Sequence, residues 1–192
     1  MKVLFLGPQD EDLDSFFRKE SISVTYFSKK IKLVEAEKVN PDLIVSYGYK
    51  HIIRPSVFQK FRTINLHISY LPFNRGSNPN FWSFYHNTIK GVTIHEVEKA
   101  IDSGNIIKQK EVFFAKEEDD LEKTYNKLKK EMSKLFVENW QSIRYNTYIS
   151  KRQDLSQGSY YTKKDFLPLS GKLKSGWKTK TSEIIKWKKE QI

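Results

Sequence analysis

The stretch "TINLHISYLPFNRG" (residues 63–76) alternates apolar and polar side chains, then meets a proline turn and a basic glycine corner. In a β-strand, side chains two residues apart point to the same face of the sheet. Asn65 and His67 would therefore project together, while Ile64 and Leu66 turn into the core. Because the turn ends the strand here, the pattern predicts a hydrogen-bond donor beside a base at the edge of a loop.

Strands and short helices alternate on the N-terminal side of this stretch. Apolar, β-branched runs predict strands at 2–7, 22–27 and 42–47, and helical spacing follows the first of them. This alternation predicts an α/β fold with a mostly parallel, twisted sheet flanked by helices. Ligands bind such sheets beyond the carboxyl ends of the strands, which is where Asn65 and His67 fall.

The C-terminal side is predicted to hold a hairpin and a long helix. Segments 91–98 and 105–114 both alternate, which predicts an antiparallel pair. Apolar positions three and four apart over 119–146 predict one amphipathic helix on the core. We expect every member of that stripe to be a packing residue: Leu121, Tyr125, Leu128, Met132, Leu135, Phe136, Trp140 and Ile143.

The 192-residue chain has 38% hydrophobic residues and no cysteine. That length is enough for one stable core. Without cysteine there are no disulfides, thiolate zinc sites or cysteine nucleophiles, a composition typical of a reducing cytoplasm. The opening "MKVLFLGPQD" does not resemble a signal peptide, and no apolar run is long enough to cross a bilayer. We therefore expect a soluble, cytoplasmic protein that does not bind membranes.

The formal net charge of +11 favours an anionic partner, either nucleic acid, a nucleotide-linked metabolite or a polyanionic cofactor. Much of the excess lies in 171–192, which we interpret as a solvated, partly mobile basic tail. Nucleic-acid binding through this tail, with Trp177 or Trp187 stacking on bases, is disfavoured because the sequence has no recognised binding motif. The tail could equally pair with a second subunit, so a homodimer stays an alternative.

A second loop, 98–105, places Asp102 ahead of a serine and a glycine. This composition also suits a plain turn, which is the alternative interpretation. A carboxylate that reached His67 would raise the pKa of the ring and fix its orientation. His67 could then take a proton from an attacking amine while Asn65 donates to a developing oxyanion. We interpret His95, inside a predicted strand, as structural.

Two common kinds of site lack their motifs. Gly7 stands alone after the first strand, so there is no G-x-G-x-x-G fingerprint and no Walker lysine, which disfavours a dinucleotide or ATP enzyme. With no cysteine and no H-E-x-x-H spacing, we expect no metal.

The series "INLHISYLP", "RG", "GVTIH" and "IDSGNII" resembles the signature of the folate-dependent formyltransferases, over about residues 1–145. The resemblance implies a Rossmann-like formyltransferase domain at 1–150, with 151–192 as a short C-terminal extension. It also implies N10-formyltetrahydrofolate as the donor and Asn65, His67 and Asp102 as the catalytic residues. The folate pocket would include Lys50, His51, Ile52, Ile53, Glu98 and Ile101.

Within this family the chain is similar to small sugar N-formyltransferases of the pseudaminic-acid pathway type. This likeness implies transfer to the amine of a nucleotide-linked amino sugar in glycan biosynthesis. Methionyl-tRNA enzymes carry a further C-terminal domain, and glycinamide ribonucleotide enzymes open with a glycine-rich phosphate loop, so both acceptors are disfavoured. An aminoacyl group on a carrier protein stays an alternative. Substrate contacts are expected from Asn74, Arg75, Gly76, Asn78 and Asn80.

Overall fold

The computed structural model describes residues 1–114 and 119–189, with side chains up to residue 187. Its strands are β1 (Lys2–Leu6), β2 (Ser23–Phe27), β3 (Leu43–Tyr47), β4 (Thr63–His67), β5 (Arg75–Gly76), β6 (Gly91–Glu96), β7 (Ile106–Glu111) and β8 (Tyr160–Tyr161). Six of them form one sheet in the order β2-β1-β3-β4-β6-β7. Strands β1 to β4 are parallel, whereas β6 runs antiparallel to β4 and β7. The predicted mostly parallel sheet and the predicted hairpin are both confirmed.

The helices within the described ranges are α1 (Glu11–Lys19), α2 (Leu33–Val39), α3 (Pro55–Phe58), α4 (Pro79–Tyr85), α5 (Leu121–Glu138), α6 (Trp140–Tyr145), α7 (Lys163–Ser170) and α8 (Thr181–Lys189). The single helix predicted over 119–146 is in fact two. Asn139 ends α5 because its side chain donates a 2.8 Å hydrogen bond to the Leu135 carbonyl and its backbone leaves the helical region.

Helices cover both faces of the sheet. The rings of Phe17, Phe136 and Trp140 bring α1, α5 and α6 together on one face. Helices α2 and α3 pack on the other face through Ala36 and Val57. All the predicted stripe residues are buried except Tyr125, for which the prediction was wrong: it is 42% exposed because its edge of α5 faces a cleft.

The segment after residue 150 folds against the rest of the chain. Strand β8 pairs with β5, and the backbone nitrogen of Thr181 donates to the Asp119 carbonyl at 3.0 Å. Ile184 of α8 is fully buried in a cluster with Phe81 and Trp82 of α4. The predicted solvated tail is therefore wrong over 181–187, although residues 190–192 of that prediction lie outside the described residues. The domain boundary at residue 150 stays a prediction.

No helix in the described part of the chain is both long and apolar enough to span a membrane.

The packing of α8 predicts a large cost for removing its buried side chain. We expect Ile184→Ala to lower the free energy of unfolding by about 2–5 kcal/mol, because it leaves a cavity under α8. The matched control is Ile149→Ala, at a residue that is 93% exposed, which should change it by less than about 0.5 kcal/mol. Urea unfolding followed by circular dichroism measures both, and equal effects would contradict the described packing of α8.

Candidate active site

An open cleft of about 470 Å³ lies beyond the carboxyl ends of β3 and β4. Residues 46–53 form one wall, and residues 65–68 and the loop 97–102 also line the cleft. This is the edge of the sheet at which the sequence predicted a ligand site. The remaining lining includes Gly76, Ser77, Tyr125, Tyr160, Thr162 and Lys163.

Asn65, His67 and Asp102 come together in this cleft. The Asn65 Nδ2 donates to Asp102 Oδ1 at 3.1 Å, and His67 Nδ1 lies 3.5 Å from Asp102 Oδ2. Strand β4 delivers the first two residues to one face, and the loop between β6 and β7 supplies the carboxylate. The structure thus brings together the three residues predicted as catalytic, while their roles stay a prediction.

His95 joins the same cluster, which sequence reasoning missed. It lies directly opposite Asn65 in the pairing of β4 with β6, and its Nε2 is 3.1 Å from Asn65 Nδ2 and 3.5 Å from Asp102 Oδ1. Its Nδ1 faces the Glu96 carbonyl at 2.7 Å, so with that nitrogen protonated Nε2 can accept from Asn65. The β4–β6 register was the signal that could have found it.

The Asn65 carboxamide has one reasonable orientation in this cluster. Its NH₂ group faces the acceptor-only Asp102 carboxylate, and a flipped amide would set two oxygens against each other. Both amide hydrogens then have partners, one on Asp102 and one on His95. Donation to a substrate oxygen therefore requires Asn65 to exchange one of these bonds.

His67 is 6% exposed and faces two acceptors. Its Nδ1 points to Asp102 Oδ2, and its Nε2 lies 3.3 Å from the Asn74 carbonyl. Burial lowers the pKa of His67 below its usual value, although Asp102 and the Asn74 carbonyl act in the opposite direction. Burial thus favours the neutral ring, and protonation would let it donate to both acceptors.

Asp102 is held from several sides. Its backbone is left-handed, with φ +51°, and its Oδ2 accepts a 2.8 Å bond from the Gly76 nitrogen. Burial raises the pKa of this carboxyl, but His67, His95 and the Gly76 amide outweigh burial and hold the pKa well below its usual range. A side chain at Gly76 would place its Cβ 2.2 Å from the Tyr161 carbonyl, and φ there is +91°, so the turn requires glycine.

Although two histidines flank the Asp102 carboxylate, the described residues contain no group of three or more His, Cys, Asp or Glu side chains that could hold a metal ion.

All six residues predicted for the folate pocket line the cleft, within the segments 46–53 and 97–102. Ile52 and Ile101 expose apolar side chains, one from each segment. The Tyr49 hydroxyl fixes the first wall, since it donates to the Lys29 carbonyl at 2.6 Å and accepts from the Ile31 nitrogen at 2.8 Å. Contact with folate stays a prediction for Lys50, His51, Ile52, Ile53, Glu98 and Ile101.

The predicted acceptor residues divide into two groups. Asn74 is fully buried and donates to Thr88 Oγ1 at 2.8 Å, and buried Asn80 donates to the Leu121 carbonyl at 3.0 Å. Both amides are bonded to other parts of the protein, which argues against direct contact with a substrate. Gly76 lines the cleft, and the Arg75 guanidinium lies over the Tyr160 ring at 5.9 Å. Asn78 precedes α4 in a left-handed conformation.

The extension also supplies residues to the cleft. Tyr160 is 45% exposed and lines the cleft together with Thr162 and Lys163. Tyr161, its neighbour, instead stacks on Trp82 with ring centroids 4.1 Å apart. Alternation along a strand explains this division, because neighbouring side chains point to opposite faces.

The fold and the Asn65–His67–Asp102 cluster point to one class of protein, and comparisons with known proteins identify it. Residues 17–139 match the family model described as formyl transferase, which is more than half of the chain. The chain belongs to the formyl transferase family.

Among solved structures, the chain is similar to the formyltransferase PseJ from Anoxybacillus kamchatkensis, in complex with UDP-4,6-dideoxy-4-formamido-L-AltNAc and tetrahydrofolate. The two are 41% identical, with a TM-score of 0.91, over 96% of this chain and 98% of PseJ. A 4-N formyltransferase from Francisella tularensis, 23% identical with a TM-score of 0.76 over 88% of this chain and 79% of that one, shares the fold.

Curated relatives match about two thirds of the chain. The chain is 31% identical over 125 residues to the dTDP-4-amino-4,6-dideoxyglucose formyltransferase of Mycobacterium tuberculosis, which is 65% of this chain and 53% of that protein. It is 32% identical over 127 residues to a methionyl-tRNA formyltransferase of Sulfurihydrogenibium, 65% of this chain and 40% of that enzyme. The chain thus spans about half the length, or less, of these curated relatives.

The cluster predicts how the His67 pKa responds to loss of the carboxylate. We expect Asp102→Asn to lower the pKa of His67 further below 6.5, because it removes the charge that opposes the effect of burial. Asp154→Asn, at an exposed carboxylate bonded to Ser156, is the control and should leave it unchanged. Titration of the imidazole signals by NMR measures both, and a rise in the His67 pKa would contradict the described contact.

Proposed function

We propose that this protein is an N-formyltransferase that moves a formyl group from N10-formyltetrahydrofolate to the amine of a nucleotide-linked amino sugar. The proposal is carried by the contact of Asn65 and His67 with Asp102 in the cleft. It is supported by 41% identity to PseJ, whose solved complex holds a UDP-formamido sugar and tetrahydrofolate. A cysteine-free sequence suits a cytoplasmic location, which we also propose.

His67 is the proposed base. As the acceptor nitrogen bonds to the formyl carbon, His67 takes the proton that the amine loses and returns it to the nitrogen that leaves. Burial lowers the pKa of His67, which favours the neutral ring that a base needs. The proton lets the ring donate to Asp102 and to the Asn74 carbonyl together, so the charged form is stabilised when it is needed.

Asn65 and Asp102 have complementary proposed roles. Asn65 donates to the formyl oxygen as negative charge develops there, after exchanging its bond to His95 or Asp102. Asp102 stays ionised and stabilises the imidazolium of His67. Together the three residues can catalyse acyl transfer without forming an acyl-enzyme intermediate.

The lining segments 46–53 and 97–102 suit the folate donor, which supplies the electrophilic carbon when bound. Ile52 and Ile101 present apolar surface for a flat ring system. Lys50, His51 and Glu98 add polar groups to the same segments. We therefore assign the part of the cleft lined by 46–53 and 97–102 to the donor. The acceptor side is the part lined by Tyr160, Thr162 and Lys163.

The acceptor side combines cationic, hydroxyl and aromatic groups. Lys163 and Thr162 line it, which suits the phosphates of an activated sugar. The exposed Tyr160 ring offers a stacking surface for the base, with the Arg75 guanidinium close to it. Asn74 and Asn80 are left out of this assignment because both are buried.

The proposed reaction predicts a product of defined mass. Incubation with formyl donor and a panel of nucleotide-linked amino sugars should add one CO unit to an acceptor, read by mass spectrometry. His67→Ala should abolish transfer while the protein stays folded, and kcat of the wild type should fall as the pH drops through the His67 pKa, below 6.5. Transfer only to carrier-bound aminoacyl groups or to methionyl-tRNA would contradict the acceptor assignment.

The acceptor side predicts a binding effect at Tyr160. We expect Tyr160→Ala to raise the KM for the nucleotide sugar about tenfold or more, because it removes the stacking surface for the base. The KM for the folate donor and kcat should change little. Tyr145→Ala, at an exposed tyrosine beside Arg144, is the matched control. Equal effects of both changes in steady-state kinetics would remove Tyr160 from the acceptor side.

A further inference from the structure

The segment that follows residue 150 contacts the loop that carries Asp102. Lys151 and Ile106 exchange two backbone hydrogen bonds, of 2.7 and 2.8 Å, which place this segment beside the start of β7. Two residues further on, the Gln153 Nε2 donates to the Asp102 carbonyl at 3.1 Å and to the Gly104 carbonyl at 2.6 Å. One side-chain amide therefore spans the turn on which Asp102 sits.

Gln153 is 7% exposed, so these bonds form away from water. Its Oε1 is buried and has no hydrogen-bond partner among the described residues. A flipped amide would turn that oxygen toward two carbonyls, which is worse, so the contacts set the orientation. An apolar side chain of similar size would fill this space without leaving a buried oxygen unpaired. The two hydrogen bonds to the turn therefore explain the Gln153 amide better than packing does.

The same segment also holds the other side of Asp102. Ser159 and Tyr161 accept from the backbone nitrogens of Arg75 at 3.0 Å and Ser77 at 2.8 Å. Between these two bonds, the Gly76 nitrogen points to the Asp102 carboxylate. Residues 151–161 therefore fix both the backbone of Asp102 and one of the donors to its side chain.

We propose that Gln153 is a positioning residue for formyl transfer: its two hydrogen bonds hold the turn at Asp102–Gly104 so that the carboxylate faces His67 and Asn65. On this inference the catalytic unit extends through residue 161. The inference rests on the proposed function for the importance of the His67–Asp102 contact, while the geometry that it asserts can be tested without any substrate.

The groups that face His67 make its titration a sensor of this geometry. They are the Asp102 carboxylate, the His95 ring and the Asn74 carbonyl, from three different segments. Of these, the carboxylate is carried by the turn that Gln153 holds. If that turn relaxes, the negative charge moves away from His67, and the proton on His67 is bound less tightly.

The test compares Gln153→Met, which keeps the length but removes both donors, with Gln153→Asn, which keeps an amide one carbon too short. Gln157→Met is the matched control, because Gln157 lies in the same segment and its Nε2 bonds only to exposed Asp154 among the described contacts. NMR titration of the four histidines reports the His67 pKa in each full-length protein, and urea unfolding reports its stability.

We expect the His67 pKa to fall by about 0.5 or more in both Gln153 variants and to stay unchanged in the control. With the substrates identified by the acceptor panel, kcat should fall about tenfold or more while both KM values stay within about threefold. A folded Gln153 variant with an unmoved His67 pKa overturns the inference. Absence of transfer by the wild type would overturn the proposed function instead, and the pKa comparison would still decide the geometry.

Discussion

The largely buried carboxylate of Asp102 is the constraint on which the cleft depends. An ionised group away from water must be paired and hydrogen-bonded, and removal of one partner costs more than the contact itself contributes. The partners here are Asn65 and His67 of β4, His95 of β6 and the backbone of Gly76 in β5. Three strands and one loop must therefore keep their relative positions for the charge to remain buried.

The extension belongs to this arrangement and is anchored at a distance from it. Tyr161 stacks on Trp82, and Ile184 completes an apolar cluster with Phe81, so β8 is held where it can pair with β5. The comparisons agree with this view of the chain. Similarity to PseJ runs over 96% of the chain and so takes in most of the extension, whereas the curated relatives align over about 65% of the chain.

Much of the parallel sheet could be predicted from the sequence because buried strands have a short, strong signal, and period two placed Asn65 and His67 on one face. Asp102 followed from the family resemblance. His95 was missed because the register between two strands depends on the whole sheet, which a single strand does not encode. Contact of Asn74 and Asn80 with a substrate stays a prediction, because the sequence does not show whether an asparagine amide faces a ligand or, as in this structure, a group within the protein. A helical pattern likewise does not show that α5 ends at Asn139 or that Tyr125 is exposed at the cleft.

The two partners of the Asn65 amide have a thermodynamic consequence. The Asn65 amide is already satisfied within the protein, since both of its hydrogens point to protein acceptors. A reactive carbonyl can draw one of them away only if the remainder of the ligand gains enough contact elsewhere in the cleft. Under the proposed function, binding energy from the distant parts of both substrates offsets the cost of exchanging a hydrogen bond of Asn65. Selectivity then appears in the rate of transfer as well as in binding.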